Sequence, residues 1–251
     1  MSDDEATSNP FGGFAISEDL VQSRTQKQAG TGEVDFDGLL QTPLKLHEDL
    51  AKGNGGQAWP AGRVLAKYLL RKKRDELKRS TIVELGAGGG LVGLAIALGC
   101  QPDQALHVTD MDSMLNLMQQ NIALNELQGK VQAEVYNWGG AKPEAVPAHP
   151  DVVLAADCVY FEPAFPLLQQ TLEELIGPHT ICYFCFKKRR RADMQFMKAI
   201  KKTMLVEDVA DDPDKDVYAR ENITLCVIKR LDFRTERLQF GRCVIRRKQC
   251  Q

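Results

Sequence analysis

The chain has 251 residues and a formal net charge of −2, with 43% of its residues hydrophobic and 26% charged. This composition is that of an ordinary globular protein, and the balanced charge provides no global field for holding nucleic acid or an anionic membrane. The sequence contains no apolar run of about 18 residues and its first residues are acidic and polar, so we expect neither a membrane span nor a secretory leader.

The first third of the chain predicts an arm, a short hairpin and a helix. Residues 1–35 are rich in Ser, Gly, Gln and acidic residues, which predicts a flexible arm that buries too little apolar surface to become ordered. Residues 36–50 alternate in hydrophobicity before the glycine-rich turn at residues 53–56, and residues 36–46 are predicted to form a short hairpin covering one end of the domain. Residues 59–79 then have helical periodicity, with Pro60 suited to the first turn.

From Ser80 onward, strand patterns and helix patterns alternate without a break. The predicted strands are residues 81–85, 105–110, 131–136, 151–156, 180–186 and 223–229, with residues 205–209 as the candidate partner of the last. The predicted helices are residues 91–98, 111–127, 163–176 and 192–204. This alternation predicts an α/β fold with a largely parallel sheet covered on both faces. We expect one domain over residues 36–230, followed by a basic segment over residues 231–251.

A strand runs into a glycine loop and then into an apolar helix at residues 83–93. The segment contains Glu84-Leu85-Gly86-Ala87-Gly88, and such small residues let the backbone approach a nucleotide-like ligand at the carboxyl end of a strand. Residues 88–93 also match the GxGxxG pattern of dinucleotide-binding proteins. However, a dinucleotide loop begins directly after its strand, and Glu84 does not help to hold a pyrophosphate. The loop therefore favours a cofactor with a cationic amino-acid end and no phosphate.

The acidic residue Asp110 ends the second predicted strand of this domain. Its carboxylate could accept hydrogen bonds from two ribose hydroxyls with either cofactor, or it could cap the following helix. Because the glycine loop precedes it, we favour the ribose role, and we expect Asp112 to be the cap of that helix.

Several motifs together resemble a known family. Residues 84–88 look like the first motif of the class I, seven-strand methyltransferases. Trp59 ahead of a helix, Asn137-Trp138-Gly139, and residues 156–160 are similar to the protein-lysine methyltransferases that modify chaperones, AAA ATPases and translation factors. Segments 11–14, 108–112, 154–160, 164–168 and 187–190 most resemble the fungal members that act on elongation factor 1-alpha. The resemblance covers about residues 36–230.

The resemblance implies a Rossmann-like seven-stranded sheet, S-adenosyl-L-methionine as the cofactor and a protein substrate, elongation factor 1-alpha. It implies the following cofactor-binding residues: Trp59, Glu84, Gly86, Ala87, Gly88, Asp110, Trp138 and Ala156. Asp157 and Tyr160 would face the target lysine as the catalytic pair. An apolar, aromatic-walled channel would favour the neutral form of that lysine, whose ordinary pKa is about 10.4.

Other interpretations of these residues remain open. Trp59 and Trp138 could be core residues, and Asp157 could cap a turn against which Tyr160 packs. The basic run of residues 187–191 could be a nuclear import signal, an RNA patch or a solvated strand end, and we favour a docking surface for the protein substrate.

Other activities compete with protein-lysine methylation. They are a small-molecule or RNA methyltransferase, a noncatalytic binding module of the same fold and, least favoured, a nicotinamide oxidoreductase. The motif at residues 157–160 lacks the paired prolines of methyltransferases that act on adenine or glutamine, which makes a nucleic-acid substrate less favoured. We expect a monomer.

The cysteines indicate a reducing compartment. Their number is odd, seven, and most lie inside apolar runs, where a reduced cysteine packs as a small hydrophobic residue. Cys182 and Cys185 have CxxC spacing, but they lie in a strand-like run without a second pair, so we expect no metal site. The chain is therefore predicted to be cytoplasmic.

Overall fold

The structure, a computed structural model, describes residues 29–231 of the chain. Within this range a small antiparallel sheet pairs two strands, β1 (Gly30–Val34) and β2 (Leu44–Glu48). A central sheet of the same range contains seven strands. They are β3 (Ile82–Leu85), β4 (Leu106–Asp110), β5 (Val131–Val135), β6 (Val152–Ala156), β7 (Ile181–Lys187), β8 (Met204–Asp208) and β9 (Ile223–Arg230).

The central sheet has the order β5-β4-β3-β6-β7-β9-β8. Its first five strands are parallel, and β9 is antiparallel to both of its neighbours. The chain builds outward from β3 through β4 and β5, then returns to add β6 on the other side of β3. Connections therefore leave β3 and β6 in opposite directions, and the crevice beyond the carboxyl ends of such strands is where open α/β sheets bind ligands.

Helices cover both faces of this sheet. The helices of the described chain are α1 (Pro60–Lys72), α2 (Arg74–Lys78), α3 (Leu91–Cys100), α4 (Asp112–Leu124), α5 (Phe165–Leu175), α6 (Arg191–Thr203) and α7 (Lys215–Arg220). Short 3-10 turns lie at Leu50–Lys52, Asn54–Gly56 and Glu162–Ala164. Within residues 29–231, no helix combines the length and the apolar composition that crossing a membrane requires.

Two hydrophobic cores lie on opposite faces of the sheet, as strand periodicity requires. In β6, Val152 and Leu154 pack with residues of α1 and α3, whereas Val153 and Ala155 pack with residues of α5 and α6. All four side chains are buried, which explains why β6 is apolar without alternation. The sequence therefore specifies a central strand covered on both faces.

The paired cysteines of β7 follow the same periodicity. Cys185 belongs to the core beneath α1, and Cys182 belongs to the core beneath α5 and α6. Because their side chains lie on opposite faces of the sheet, the two sulfurs cannot converge on one metal ion. Burial also raises the pKa of both thiols well above its usual value, so both stay protonated.

The predicted alternation from Ser80 onward matches the observed elements to within a few residues, and β8 pairs with β9 as expected. The short helix α7 was not predicted. The helix predicted over residues 59–79 is in fact two helices, because the backbone leaves the helical region at Lys73 (φ −126°). Asp112 is the first helical residue and not the cap, since Met111 occupies the cap position without a side-chain hydrogen bond.

The hairpin is present but begins earlier in the chain than predicted. Its first strand, β1, falls within the segment predicted to be a flexible arm, and residues 36–43 form the connection. Phe36 and Leu40 of this connection are buried in the core, which is why its apolar residues gave a strand-like pattern. Residues 30–34 thus pack with the domain, while residues 1–28 and 232–251 lie outside the described chain.

Candidate functional site

Strand register brings three of the predicted site residues to one level of the sheet. Leu85 pairs with Thr109 of β4 on one side and with Ala155 of β6 on the other. The residues that follow, Gly86, Asp110 and Ala156, therefore lie side by side at the carboxyl edge, where the chain changes direction.

The glycine loop after β3 can contain only very small side chains. Gly86 and Gly88 have positive φ angles of 61° and 56°, a region that costs other residues conformational energy. A Cβ on Gly86 would lie 2.9 Å from both Cys158 Sγ and Trp138 Cζ2. A Cβ on Gly88 would lie 2.5 Å from the carbonyl oxygen of Gly55. The loop is therefore packed closely on two sides while its backbone lines a cavity.

Glu84 lies beneath this loop, and only 2% of its surface is exposed. Its Oε2 accepts a hydrogen bond from the backbone N–H of Gly93 at 2.7 Å, at the start of α3. Burial raises the pKa of Glu84 to about 8, although the N–H groups of Gly93 and Val92 act in the opposite direction. The carboxyl group thus holds the N-terminus of α3 against β3. Because its pKa is raised, the ionisation of Glu84 depends on the charge of any ligand that binds nearby.

Asp110 fixes the same loop from the neighbouring strand. Its Oδ2 accepts from the backbone N–H of Gly88 at 2.8 Å, and its Oδ1 accepts from that of Met111 at 2.7 Å. Burial raises the pKa of Asp110, and the two N–H donors oppose this shift. The alternative of a helix cap is wrong, because Met111 occupies the cap position of α4 and Asp110 accepts from the backbone N–H groups of Met111 and Gly88.

Asn121 of α4 ties the glycine loop to the hairpin, a role that the sequence analysis missed. This fully buried amide accepts from the backbone N–H of His47 at 2.8 Å and donates to the carbonyl oxygens of His47 and Gly89 at 3.1 and 2.9 Å. A single polar residue within an amphipathic helix gives no signal that identifies its partners. Its position on the buried face was the only clue available.

A small cavity of about 50 Å³, open to solvent on one side, lies between the glycine loop and the hairpin. Six of the predicted cofactor residues line it together: Trp59, Glu84, Gly86, Ala87, Gly88 and Ala156. The other two, Asp110 and Trp138, are outside its lining but contact the loop. Asp110 accepts from Gly88, and the half-buried ring of Trp138 packs against Gly86 and one core.

The opposite wall of the cavity comes from β2 and the turn that follows it. Leu46, His47 and Glu48 line this wall with residues 55–58. The glycine run at residues 53–56 was predicted only as a turn. Its other function is close approach, since a Cβ on Gly55 would lie 2.7 Å from Met114 Sδ. In the sequence, the pair of adjacent glycines in this turn was the signal that could have indicated a close contact with the glycine loop after β3.

Asp157 follows β6 in a left-handed conformation with φ 53°, which costs roughly 1 to 3 kcal/mol for a residue other than glycine. Its side chain is only 4% exposed. The carboxylate is bound in two places by Arg189, Oδ1 to Nη1 at 2.9 Å and Oδ2 to Nη2 at 3.2 Å, and Oδ1 also accepts from the backbone N–H of Lys187 at 3.0 Å. The guanidinium carbon of Arg189 in turn lies 5.2 Å from the ring centroid of Trp59.

Tyr160 lies three residues further on and is 43% exposed. Loss of water around its hydroxyl raises the pKa of Tyr160, with the charges of Asp110 and Cys158 adding to this effect. Its carbonyl oxygen accepts a hydrogen bond from the side chain of Arg190. The ring of Tyr160 is therefore not buried in the core.

The basic run has two kinds of residue. Arg189 and Arg190 make intramolecular contacts, Arg189 with Asp157 and Arg190 with Asp193 at 3.1 Å. Lys188 and Arg191 are exposed. The proposed docking role of this run stays a prediction, and it is best suited to the exposed pair.

Comparisons with known proteins identify the family of this chain. A family described as lysine methyltransferase matches residues 39–203. The protein-lysine N-methyltransferase EFM6 of Saccharomyces cerevisiae is 37% identical over 242 residues, covering 86% of this chain and 96% of the yeast protein. The protein N-lysine methyltransferase METTL21A of Danio rerio is 33% identical over 189 residues, covering 72% of this chain and 83% of the fish protein. EEF1A lysine methyltransferase 3 of Mus musculus is 32% identical over 168 residues, covering 66% of this chain and 70% of the mouse protein.

Solved structures agree on the fold. The T. thermophilus 16S rRNA N2 G1207 methyltransferase in complex with AdoMet and guanosine matches with a TM-score of 0.55 at 12% identity, covering 81% of this chain and 50% of that chain. At this identity the likeness concerns the fold alone. The family matches decide between the two cofactors considered for the glycine loop, in favour of S-adenosylmethionine.

The seven-stranded sheet, the glycine loop at its switch point and the match across most of the chain lead to one conclusion. This chain belongs to the lysine methyltransferase family and is an S-adenosylmethionine-dependent protein-lysine N-methyltransferase.

Proposed function

We propose that this enzyme methylates a lysine of elongation factor 1-alpha in the cytoplasm. The observation that carries the proposal is the likeness, over 96% of the yeast protein's length, to EFM6, together with the resemblance to fungal members that act on this factor. The name of the mouse relative, EEF1A lysine methyltransferase 3, supports the same substrate. A cytoplasmic site agrees with the five described cysteines, which are all free and buried.

The glycine loop suits S-adenosylmethionine because its backbone lines the cavity and carries no large side chain that would keep a ligand away. We propose that Gly86, Ala87 and Gly88 contact the cofactor through their backbone, with Ala156 beside them at the end of β6. When bound, the cofactor supplies a methyl group on a positively charged sulfur. Trp59 and Trp138 would cover it from two sides, Trp59 from the start of α1 and Trp138 from beyond Gly86.

Glu84 and Asp110 have different proposed roles. Glu84 lines the cavity and would attract the cationic amino-acid end of the cofactor, whose charge favours ionisation of this otherwise raised-pKa group. Asp110 would accept hydrogen bonds from the ribose hydroxyls, while its bond from Gly88 keeps the loop in place.

Asp157 and Tyr160 are proposed to face the target lysine. A lysine must lose its proton before attack, and partial burial beside aromatic rings disfavours the charged form. Asp157 would hold the amine in line by a hydrogen bond, and the ring of Tyr160 would form the channel wall and contact the cation. With its proton lost to water, the neutral lysine nitrogen held by Asp157 would accept the methyl group that the cofactor supplies.

The test uses purified enzyme, radiolabelled S-adenosylmethionine and purified elongation factor 1-alpha, with mass spectrometry to locate the methylated lysine. An extract from cells lacking the enzyme would serve as an unbiased second substrate. The matched variants are Asp157→Ala in the site and Asp103→Ala, an exposed carboxylate in the loop before β4 at the opposite edge of the sheet.

We expect label on elongation factor 1-alpha with the unaltered enzyme and with Asp103→Ala, and none above background with Asp157→Ala, while all three bind the cofactor. Labelling of another protein in the extract, with elongation factor 1-alpha unlabelled, would contradict the substrate proposal. Equal labelling by Asp157→Ala would contradict the role of the carboxylate.

A further inference from the structure

The Asp157 carboxylate and the Trp59 ring form a cation-binding site that the chain itself occupies. Arg189 places its guanidinium on both oxygens of Asp157, at 2.9 and 3.2 Å, and over the Trp59 ring at 5.2 Å from the centroid. A carboxylate beside an aromatic face is a combination that binds organic cations, because the ring's negative face and the charge both attract them. The position lies next to the cofactor cavity, since Trp59 lines that cavity and Asp157 follows Ala156.

We propose that this is the subsite for the substrate's lysine ammonium, and that Arg189 fills it until the substrate displaces it. The inference rests on the proposed function, because it uses the same Asp157 to receive the amine. Both a guanidinium and an ammonium satisfy a carboxylate, but only one of them fits between Asp157 and Trp59 at a time. The enzyme therefore carries an internal competitor for its own substrate.

Because the Asp157 carboxylate is buried, it needs a cationic partner. The Asp157 side chain is 4% exposed, and a buried carboxylate without a partner is costly. The backbone N–H of Lys187 satisfies one oxygen in part, but the charge of Asp157 is balanced by Arg189. An internal cation thus keeps the site intact between turnovers.

The Arg189 side chain is also positioned so that it can move away from Asp157. Its side chain is 30% exposed and comes from the loop between β7 and α6, so its release opens no hydrophobic core. The loop backbone is held independently, because Asp193 Oδ2 accepts from the N–H groups of Arg189 and Arg190 at 2.8 and 2.9 Å. The guanidinium can therefore move into solvent while the loop keeps its shape.

The first experiment measures binding of a lysine side-chain analogue without any methylation. n-Butylammonium chloride is titrated into the full chain while tryptophan fluorescence is followed, since Trp59 would contact the probe. The variants are Arg189→Ala, Arg189→Met, which keeps an apolar stem on the Trp59 ring, and Arg191→Ala, an exposed arginine of the same basic run. We expect the dissociation constant to fall about 3- to 10-fold in both Arg189 variants and to stay unchanged in Arg191→Ala.

The second experiment measures steady-state methylation of elongation factor 1-alpha by Arg189→Ala and Arg189→Met. The expected result is a KM for the protein substrate lowered by a similar factor, with kcat within about twofold of the unaltered enzyme. Circular dichroism and thermal unfolding verify that each variant folds, and Arg189→Met serves if Arg189→Ala does not.

The two measurements separate this inference from the proposed function. Tighter n-butylammonium binding in the Arg189 variants supports the subsite even if elongation factor 1-alpha is not the substrate. Unchanged or weaker amine binding by a folded Arg189→Met overturns the inference. A raised KM or a kcat reduced tenfold would also overturn it, because Arg189 would then be a positioning residue for Asp157.

Discussion

Oε2 of Glu84 accepts a hydrogen bond from the backbone N–H of Gly93 at 2.7 Å, across the join between β3 and α3. The contact leaves no room for a side chain, since a Cβ on Gly93 would lie 2.6 Å from that oxygen. A buried acid therefore touches the first turn of α3 directly, beneath the loop that lines the cofactor cavity. The stability of the loop and its affinity for a ligand therefore both depend on whether Glu84 is ionised.

The first prediction concerns pH. Because burial raises the pKa of Glu84 from 4.5 to about 8, the folded protein without cofactor keeps a proton that the unfolded chain releases. The stabilisation from this group is complete below the unfolded pKa and is lost as pH rises through the folded one. We expect Glu84 to lower the free energy of unfolding by about 1 kcal/mol per pH unit between pH 5 and 8.

Urea unfolding at several pH values, with and without Glu84→Gln, measures this contribution. Glutamine keeps an acceptor for the Gly93 N–H but does not titrate, so the difference between the two profiles isolates Glu84. The prediction is a difference that changes with pH in the stated direction. Parallel profiles would show that Glu84 has the same pKa in both states.

The second prediction concerns the contact between Gly88 and Gly55. Gly88→Ala adds a Cβ that would lie 2.5 Å from the Gly55 carbonyl oxygen, so the turn opposite the glycine loop has to shift. We expect cofactor affinity, measured by isothermal titration calorimetry, to fall at least about 10-fold, which corresponds to 1.4 kcal/mol. Stability falls as well, because alanine is strained at positive φ.

Gly129→Ala is the matched control. This glycine also has a positive φ, 77°, but no heavy atom lies within 4 Å of its added Cβ. We expect it to lose about 1 kcal/mol of stability with cofactor affinity unchanged. If both variants bound the cofactor equally well, the close approach would not shape the cavity.

The third prediction concerns Asn121. Its buried amide makes three hydrogen bonds to the backbone of His47 and Gly89, and Asn121→Ala leaves those groups without their partner. We expect a loss of roughly 2 to 4 kcal/mol in the free energy of unfolding, measured with urea. Cofactor affinity should fall too, because Gly89 belongs to the loop that lines the cavity.

Asn125, the C-cap residue of the same helix, provides the comparison. It makes equivalent bonds to the backbone N–H and carbonyl oxygen of Lys45, at 2.8 and 2.7 Å, but near solvent. Water can replace an exposed partner, so Asn125→Ala is expected to cost about 1 kcal/mol or less. Equal losses in the two variants would contradict the argument from burial.

The fourth prediction separates the ring of Tyr160 from its hydroxyl. If the ring forms the wall of the lysine channel, Tyr160→Phe keeps kcat/KM for the protein substrate within about threefold, whereas Tyr160→Ala lowers it at least about 10-fold. Because the side chain is 43% exposed, neither change should greatly affect thermal unfolding. A large loss in Tyr160→Phe would instead give the hydroxyl the main role.

The order of strands and helices can be predicted from the sequence, and so can the edge of the sheet at which the candidate site residues lie. Hydrophobic periodicity fixed the alternation of strands and helices, because a strand buried on both faces needs an apolar run such as β6. Once the strands are parallel, their carboxyl ends must meet at one edge. Gly86, Asp110 and Ala156 could therefore be predicted to lie together, although 70 positions separate the first from the last in the chain numbering.

Tertiary structure alone decided what surrounds those residues. The hairpin wall, the Asn121 bonds and the pairing of Arg189 with Asp157 depend on how loops pack over distances that local pattern does not encode. The sequence shows that residues 187–191 are basic, but it does not show which of their side chains points toward the interior. That choice was made by the buried carboxylate of Asp157, whose need for a cation appears only when β6 and β7 lie side by side.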